Sequence, residues 1–409
     1  MMKVSLVCFT RMGFETMKKK FMCMLMAAAM TLSMAACGSK GDDANTDANT
    51  DGTETSDVQT FKLGSSGPLT GDAAIYGMAV VQGAELAVNE INASDSKIKF
   101  EFQKQDDEAD GEKAVNAYNT MMDNGMQVLV GPTTTGASIA VADVCYNDRT
   151  FMLTPSASST DVTAGKDNVF QVCFTDPNQG VGAADYMAEN FAGAKVAVIY
   201  RNDDAYSQGI RDTFVKEATD KGAFEVVYEG TFTNDTASDF SVQLAGAQNA
   251  GADLVFLPIY YQPASIIFSQ AKAMGYAPTF FGVDGMDGIL TMPGFDASLA
   301  EGLMLMTPFS ATDEANQAFV DAYTAAYGTE PNQFAADAYD GVYIVKAALE
   351  AAGCTADMSN EEICDALVSA MTSLKFTGLT GTDMTWNAEG QVSKAPTAYV
   401  VKDGQYVKG

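Results

Sequence analysis

From Phe61 onward, short apolar runs alternate with longer amphipathic stretches, and this alternation constrains the fold more than any other feature of the chain. The runs FKLG (61–64), KIKFEF (97–102), MQVLVG (126–131), FMLT (151–154) and VFQVCF (169–174) are separated by helix-like segments such as YGMAVVQGAELAVNEIN and GEKAVNAYNTMMDNG. A second series follows: KVAVIYR (195–201), FEVVYEG (224–230), ADLVFLPI (252–259) and PTFFGV (278–283), with helical stretches around 205–221, 238–250 and 263–275. Strands that read as nearly unbroken apolar runs are covered on both faces, as parallel strands joined by helices are. Two such series predict an α/β protein with two doubly wound parallel-sheet lobes.

The C-terminal quarter breaks this rhythm. Helical stretches at 312–327, 333–352 and 360–371 precede short strand signals in LKFTGLTGTDMTW and APTAYVVKDG. So many helices in succession need a sheet already built to cover, so the chain is expected to return to its first lobe. Polar turns near 175–180 and 306–312 are the candidate crossings between lobes.

Composition narrows the function classes. The net charge of −29 repels phosphate backbones and argues against nucleic-acid binding. Histidine is absent, which removes the usual general base, the commonest metal ligand and every Ser-His arrangement. Five basic groups stand in the first 36 residues: Lys3, Arg11, Lys18, Lys19 and Lys20. The last three precede the apolar stretch FMCMLMAAAMTLSMAA, too short to span a bilayer comfortably, which stops at Cys37. A charged start, a short apolar core and the box Met34-Ala35-Ala36-Cys37 resemble a lipoprotein signal peptide over 17–36, with Met34 where leucine is usual. Cys37 is then the lipid anchor; an ordinary signal peptide with an incidental cysteine is the alternative. The leader is complete from Met17, so translation can begin there. Residues 37–59 are rich in Asp, Thr, Asn and Gly and read as a disordered acidic tether. Cys354 and Cys364 bracket a short loop and are candidates for a disulfide in an exported protein, while Cys145 and Cys173 sit in apolar stretches and read as core.

The stretch GPTTTGASIA (131–140) follows a strand and opens a helix, where open α/β sheets bind ligands. MLTPSASST (152–160) follows the next strand. Both loops offer hydroxyls and backbone N–H donors without a cation, which suits a carboxylate or another small anion. Neither has G-x-S-x-G, and the lysine of a phosphate loop is missing after Gly136, so hydrolase and nucleotide readings fail. A purely structural helix start capped by Thr135 remains open. The acidic run Asp106-Asp107-Glu108-Ala109-Asp110 reads as a solvated strand end rather than a metal site, and no metal or cofactor is expected. Tyr76, Tyr206, Tyr260, Tyr261 and Phe334 are aromatics at loop positions, each singly consistent with packing.

Taken in order, SGPLTGDAAIYGMAVVQGAELAVNEIN (66–92), VLVGPTTTGASIA (128–140), MLTPSASST, FTDPNQG (174–180), DDAYSQG (203–209), LPIYYQPASIIFSQAKAMGY (257–276) and FGVDG (281–285) resemble the type I periplasmic binding proteins, most closely the branched-chain amino-acid receptors of ATP-driven (ABC) importers. The resemblance implies a non-enzymatic receptor whose two lobes, joined by a three-segment hinge, close over one ligand. Its boundaries would be 60–178 with 308–395 for the first lobe and 179–307 with 396–409 for the second. It implies that Thr135, Ser156 and Ser158 hold a ligand carboxylate, that Asp284 pairs with the ammonium, and that Thr134 is a further ligand-binding residue. Tyr206 would close from the second lobe, Tyr261 line the pocket and Tyr76 lie beside the ligand side chain. The implied partners are a free amino acid and membrane permease subunits, reached by a lipid-anchored monomer on the outer face of the cytoplasmic membrane. Thr133 and Thr134 stand where leucine-binding relatives place more apolar groups. An amide or urea receptor of the same fold, or a ligand-sensing module, is the alternative, and an amidase using Ser156 or Ser158 is the enzyme reading.

Overall fold

The computed structural model describes residues 58–409; the leader, Cys37 and the tether up to residue 57 lie outside the described residues. The first series runs β1 (Gln59–Gly67), α1 (Ala74–Ala93), β2 (Ile98–Asp106), α2 (Gly111–Asp123), β3 (Val128–Val130), α3 (Thr135–Asn147), β4 (Phe151–Thr154) and β5 (Val169–Gln171). Its strands form one sheet in the order β2-β1-β3-β4-β5, with every pairing parallel. β3 and β4 are buried along their whole length, the property that made them legible as apolar runs.

The second series runs α4 (Asp176–Asn190), β6 (Lys195–Arg201), α5 (Ala205–Lys221), β7 (Glu225–Phe232), α6 (Ser241–Asn249), β8 (Leu254–Leu257), α7 (Tyr261–Met274), β9 (Thr279–Gly282) and β10 (Met304–Thr307). The chain continues through α8 (Gln317–Tyr327), α9 (Gln333–Ala352) and α10 (Asn360–Met371), and ends in β11 (Thr397–Lys402) and β12 (Gln405–Lys408). The second sheet has the order β12-β11-β10-β9-β8-β6-β7. It is parallel except at one edge, where β11 pairs antiparallel with both β10 and β12. This departs from an all-parallel lobe, and for the β11–β12 pair the reason is local. Asp403 and Gly404 have φ of 52° and 74°, the two positive values that a tight two-residue hairpin turn requires.

As expected, the C-terminal helices return to the first sheet: α9 packs along α1 and against β2 and β3, and α10 packs on α9 and β4. The α1–α9 contact is backbone-close. A Cβ on Gly83 would sit 2.1 Å from the carbonyl oxygen of Ala335, so only glycine fits there. The segment LKFTGLTGTDMTW forms no strand; it makes the isolated bridges Phe376–Met384 and Trp386–Val392. Polypeptide passes between the sheets three times, between β5 and α4, after β10, and just before β11. Beside the last crossing lies Lys394, the only lysine or arginine among the described residues that is buried; its Nζ donates to Asp337 at 2.6 Å and to Thr380 at 2.7 Å.

The cysteine expectation is corrected. Cys354 and Cys364 are both free and buried. Cys354 follows the end of α9, whereas the phase of α10 turns Cys364 inward with Ile363 and Leu367, toward Asn168. The acidic run is spent on local structure. Asp106 accepts from Leu69 N, Thr70 Oγ1 and Glu108 N, Asp107 accepts from Ala109 N, and Asp110 caps α2 through Lys113 N.

Candidate functional site

Three loops that leave β1, β3 and β4 meet three that leave β6, β8 and β9, because C-terminal strand ends of both sheets face one cleft. Gly131 takes φ 148° ahead of Pro132, with a cis peptide between them, and the chain then turns into α3. The N-cap of α3 is Thr134, not Thr135, which is the first helical residue. Threonine hydroxyls stitch the loop down. Thr133 Oγ1 donates to Ser66 O at 3.2 Å and Thr154 Oγ1 to Pro132 O at 2.7 Å. Ser156 Oγ donates to Thr133 O at 2.6 Å. Its hydrogen is therefore committed, and what Ser156 offers the cleft is oxygen lone pairs.

Between the lobes lies a small hollow with about 260 Å³ of empty space. One wall is Thr133, Thr134, Thr135 and Ser156; the facing wall is Tyr206, Tyr260, Asp284 and Gly285; Tyr76 and Phe334 close it from the side. Thr134 Oγ1 is buried without a partner and caps nothing. An unpaired buried hydroxyl costs about 1–3 kcal/mol, so one beside a cavity at a helix N-terminus marks a place for a ligand acceptor.

The facing wall carries the charge. Asp284 is buried, and its Oδ1 accepts from Tyr206 Oη at 2.6 Å. Its backbone N–H donates to Gln179 Oε1 at 3.1 Å. Burial pushes its carboxyl up to about 7, against the hydrogen bond from Tyr206 that favours the charged form. Burial likewise keeps the Tyr76, Tyr206 and Tyr260 phenols protonated, hence neutral donors. Among the described residues, no lysine or arginine lines the cavity. The two walls thus offer neutral donors on one side and one buried carboxylate on the other. A wider hollow of about 1,040 Å³ includes Lys394, and size alone does not mark the site.

The structure brings Tyr76, Thr134, Thr135, Ser156, Tyr206 and Asp284 to the cavity wall, but not Ser158 or Tyr261. Tyr261 is the first residue of α7 and Tyr260 its N-cap, so adjacent side chains diverge: Tyr260 lines the cavity and Tyr261 lies behind Tyr76, ring centroids 4.9 Å apart. Tyr76 itself bridges the lobes. Its Oη donates to Gly285 O at 2.5 Å and accepts from Tyr261 N at 3.1 Å, while Ile75 N donates to Tyr261 Oη at 3.4 Å. Those amides belong to the first turns of α7 and α1, whose N–H groups have no partner within their own helix.

Ser158 is buried behind the wall with an unpartnered hydroxyl, and its carbonyl accepts from Asp176 N at 2.9 Å. Asp176 is a residue that sequence reasoning missed. It is buried at the start of α4, both carboxylate oxygens lack a partner, and burial first, then the nearby Asp284 charge, pushes its carboxyl well up. Its signal was the turn FTDPNQG, where proline at a helix start marks the end of a loop in the cleft.

The family profile described as "Periplasmic binding protein" matches residues 60–405. The chain belongs to the periplasmic binding protein family. The binding protein is 33% identical over 303 residues to Leu/Ile/Val-binding protein homolog 3 of Brucella melitensis, covering 72% of this chain and 80% of the relative. It is 28% identical to the leucine-, isoleucine-, valine-, threonine- and alanine-binding protein of Pseudomonas aeruginosa, covering 76% and 82%. Among solved structures, the branched-chain amino acid transporter substrate binding protein of Streptococcus pneumoniae, in complex with isoleucine, superposes with a TM-score of 0.74 at 30% identity, covering 86% of this chain and all of that one. The fold is the type I arrangement of two α/β lobes.

Proposed function

We propose that this protein captures a free α-amino acid, branched-chain first, and delivers it to an ABC importer without chemical conversion. The observation that carries the reading is the opposition of unlike walls across a closed cavity. A zwitterion buried from water needs an acceptor set for its ammonium and a donor set for its carboxylate. Asp284 meets the ammonium; the Thr134 hydroxyl and the first amides of α3 meet the carboxylate. The ligand side chain lies among Tyr76, Tyr260 and Phe334, where each buried CH₂ gains about 0.8 kcal/mol.

The names of the relatives, leucine-, isoleucine- and valine-binding, support the ligand class. Ser156 as an enzymatic nucleophile would need a base, and its proton is held by a backbone carbonyl. The receptor acts outside the cytoplasm as a monomer, anchored through lipid on Cys37. Cys37→Ser should release it from membranes or leave its leader uncleaved; a processed variant that stays membrane-bound refutes the anchor. A thermal-shift screen of the twenty amino acids with small amides tests the ligand. Stabilisation by leucine, isoleucine or valine is the expected result. A response to amides alone, or to no amino acid, refutes the reading.

A further inference from the structure

Gln333 opens α9, is 1% exposed and does not line the cavity, yet every polar atom it has beyond its helical carbonyl is used on partners outside its own helix. Its backbone N–H donates to Asp287 Oδ2 at 2.7 Å. Its Nε2 donates to Asp284 O at 2.8 Å, and its Oε1 accepts from Thr307 Oγ1 at 3.0 Å. α9 belongs to the first lobe, packed along α1, whereas residues 284–287 follow β9 and Thr307 ends β10 in the second. The first amide of α9, like the first of α7 and the second of α1, is thus capped from across the cleft.

We propose that Gln333 is a positioning residue for ligand retention: it ties α9 to the turn that carries Asp284, so that the lobes stay shut and the Asp284 carboxylate stays aimed while ligand is bound. The inference rests on the reading of Asp284 as an amino-acid ligand. When the lobes part, Gln333 N, Gln333 Nε2 and Asp284 O return to water, which satisfies them without directing them. Association begins from the parted form and does not need these bonds; dissociation must break them. The residue therefore acts on the off-rate. Next to it on the chain, Phe334 does line the cavity and packs on Tyr76 with ring centroids 4.6 Å apart, so a loosened helix start also loosens that wall.

Two measurements test this on the full mature chain. Stopped-flow kinetics with isoleucine, on wild type, Gln333→Leu, Gln333→Glu and Asp287→Ala, separate the rates. The leucine variant loses two side-chain bonds at nearly constant size and should release isoleucine about tenfold faster with its on-rate within about twofold. The glutamate variant keeps the acceptor for Thr307 but sets a carboxylate against Asp284 O and beside Asp287, and should release isoleucine at least as fast as the leucine variant. An unchanged off-rate in all three variants, or a loss carried by the on-rate, overturns the proposal. Spin labels on Glu112→Cys and Val242→Cys, exposed positions in α2 and α6, report lobe closure by distance whether or not isoleucine is the ligand. Gln333→Leu and Asp287→Ala should shrink the short-distance population of the wild type; identical distributions overturn the latch. Failure of isoleucine to bind wild type refutes the amino-acid reading instead, and the label distances then decide the latch alone.

Discussion

Asp284→Ala should weaken binding of the preferred amino acid by about two to three orders of magnitude. The wild-type carboxylate is buried, with Tyr206 Oη at 2.6 Å and, among the described residues, no lysine or arginine on the cavity wall. Holding its titration near 7 rather than at an ordinary aspartate value means that burial opposes the charge by roughly 4 kcal/mol, at about 1.4 kcal/mol per pH unit. A ligand ammonium compensates that cost and is itself compensated. Alanine removes one partner and leaves the ammonium buried alone, typically a loss of about 3–5 kcal/mol. Each 1.4 kcal/mol is about tenfold in Kd. Asp284→Asn keeps an oxygen for Tyr206 and loses only the charge, so it should fall between. Isothermal titration calorimetry with leucine, isoleucine and valine at pH 8, where the wild-type carboxyl is ionised, reads the loss. A change below about fivefold for the alanine variant would mean that the ammonium lies elsewhere, and the argument from opposed walls would fail with it.

The same burial makes binding sensitive to acid: a proton on Asp284 competes with the ammonium, so affinity should drop steadily as pH falls below about 7, checked by calorimetry between pH 8 and 5.5. Ligand-free stability should move the other way over that window. Asp107, Asp284 and Asp287 are raised to about 6, 7 and 6, so the folded chain binds more protons than the unfolded one and Tm should rise on acidification; a fall between pH 8 and 5.5 would contradict it. Thr134→Val removes a hydroxyl that has no partner within the protein, so it should weaken ligand binding by about 1–3 kcal/mol while leaving the ligand-free denaturation midpoint unchanged or higher. Gly83→Ala should lower unfolding free energy by about 1–3 kcal/mol in urea titrations despite alanine's better helix propensity, because the obstacle is the Ala335 backbone rather than a movable side chain.

The sheets were legible because their strands are buried on both faces, so Val128–Val130 and Phe151–Thr154 show as apolar runs without reference to anything distant. Helix starts were legible for a similar reason, although the cap of α3 fell one residue from where threonine-rich sequence suggested, since three consecutive threonines satisfy the same preference. The antiparallel edge was hidden: APTAYVVKDG reads as a strand, but its direction depends on the distant neighbour it meets, while the Asp403-Gly404 turn sets only that of β12. Tyr260 and Tyr261 could not be told apart, because which of two adjacent rings faces the cleft depends on the helical phase at a junction. Asp176 and Gln333 were overlooked for a deeper reason. Each looks like an ordinary polar residue at a helix start, and only the approach of the other lobe makes it buried. Local pattern carries no record of that approach.

The bonds of Tyr76 to Gly285 and Tyr261 join protein to protein, and no ligand atom takes part in them. Whatever free energy they supply is granted alike to every occupant that lets the lobes meet. Such a contribution tightens the hold on all of them in equal measure and leaves the ratio between any two untouched, since discrimination is a difference of affinities. A receptor built this way can hold on strongly while choosing loosely. Its choice among amino acids then depends on the few rings that touch the side chain, and on whether a given side chain is small enough to let Tyr76 reach across at all.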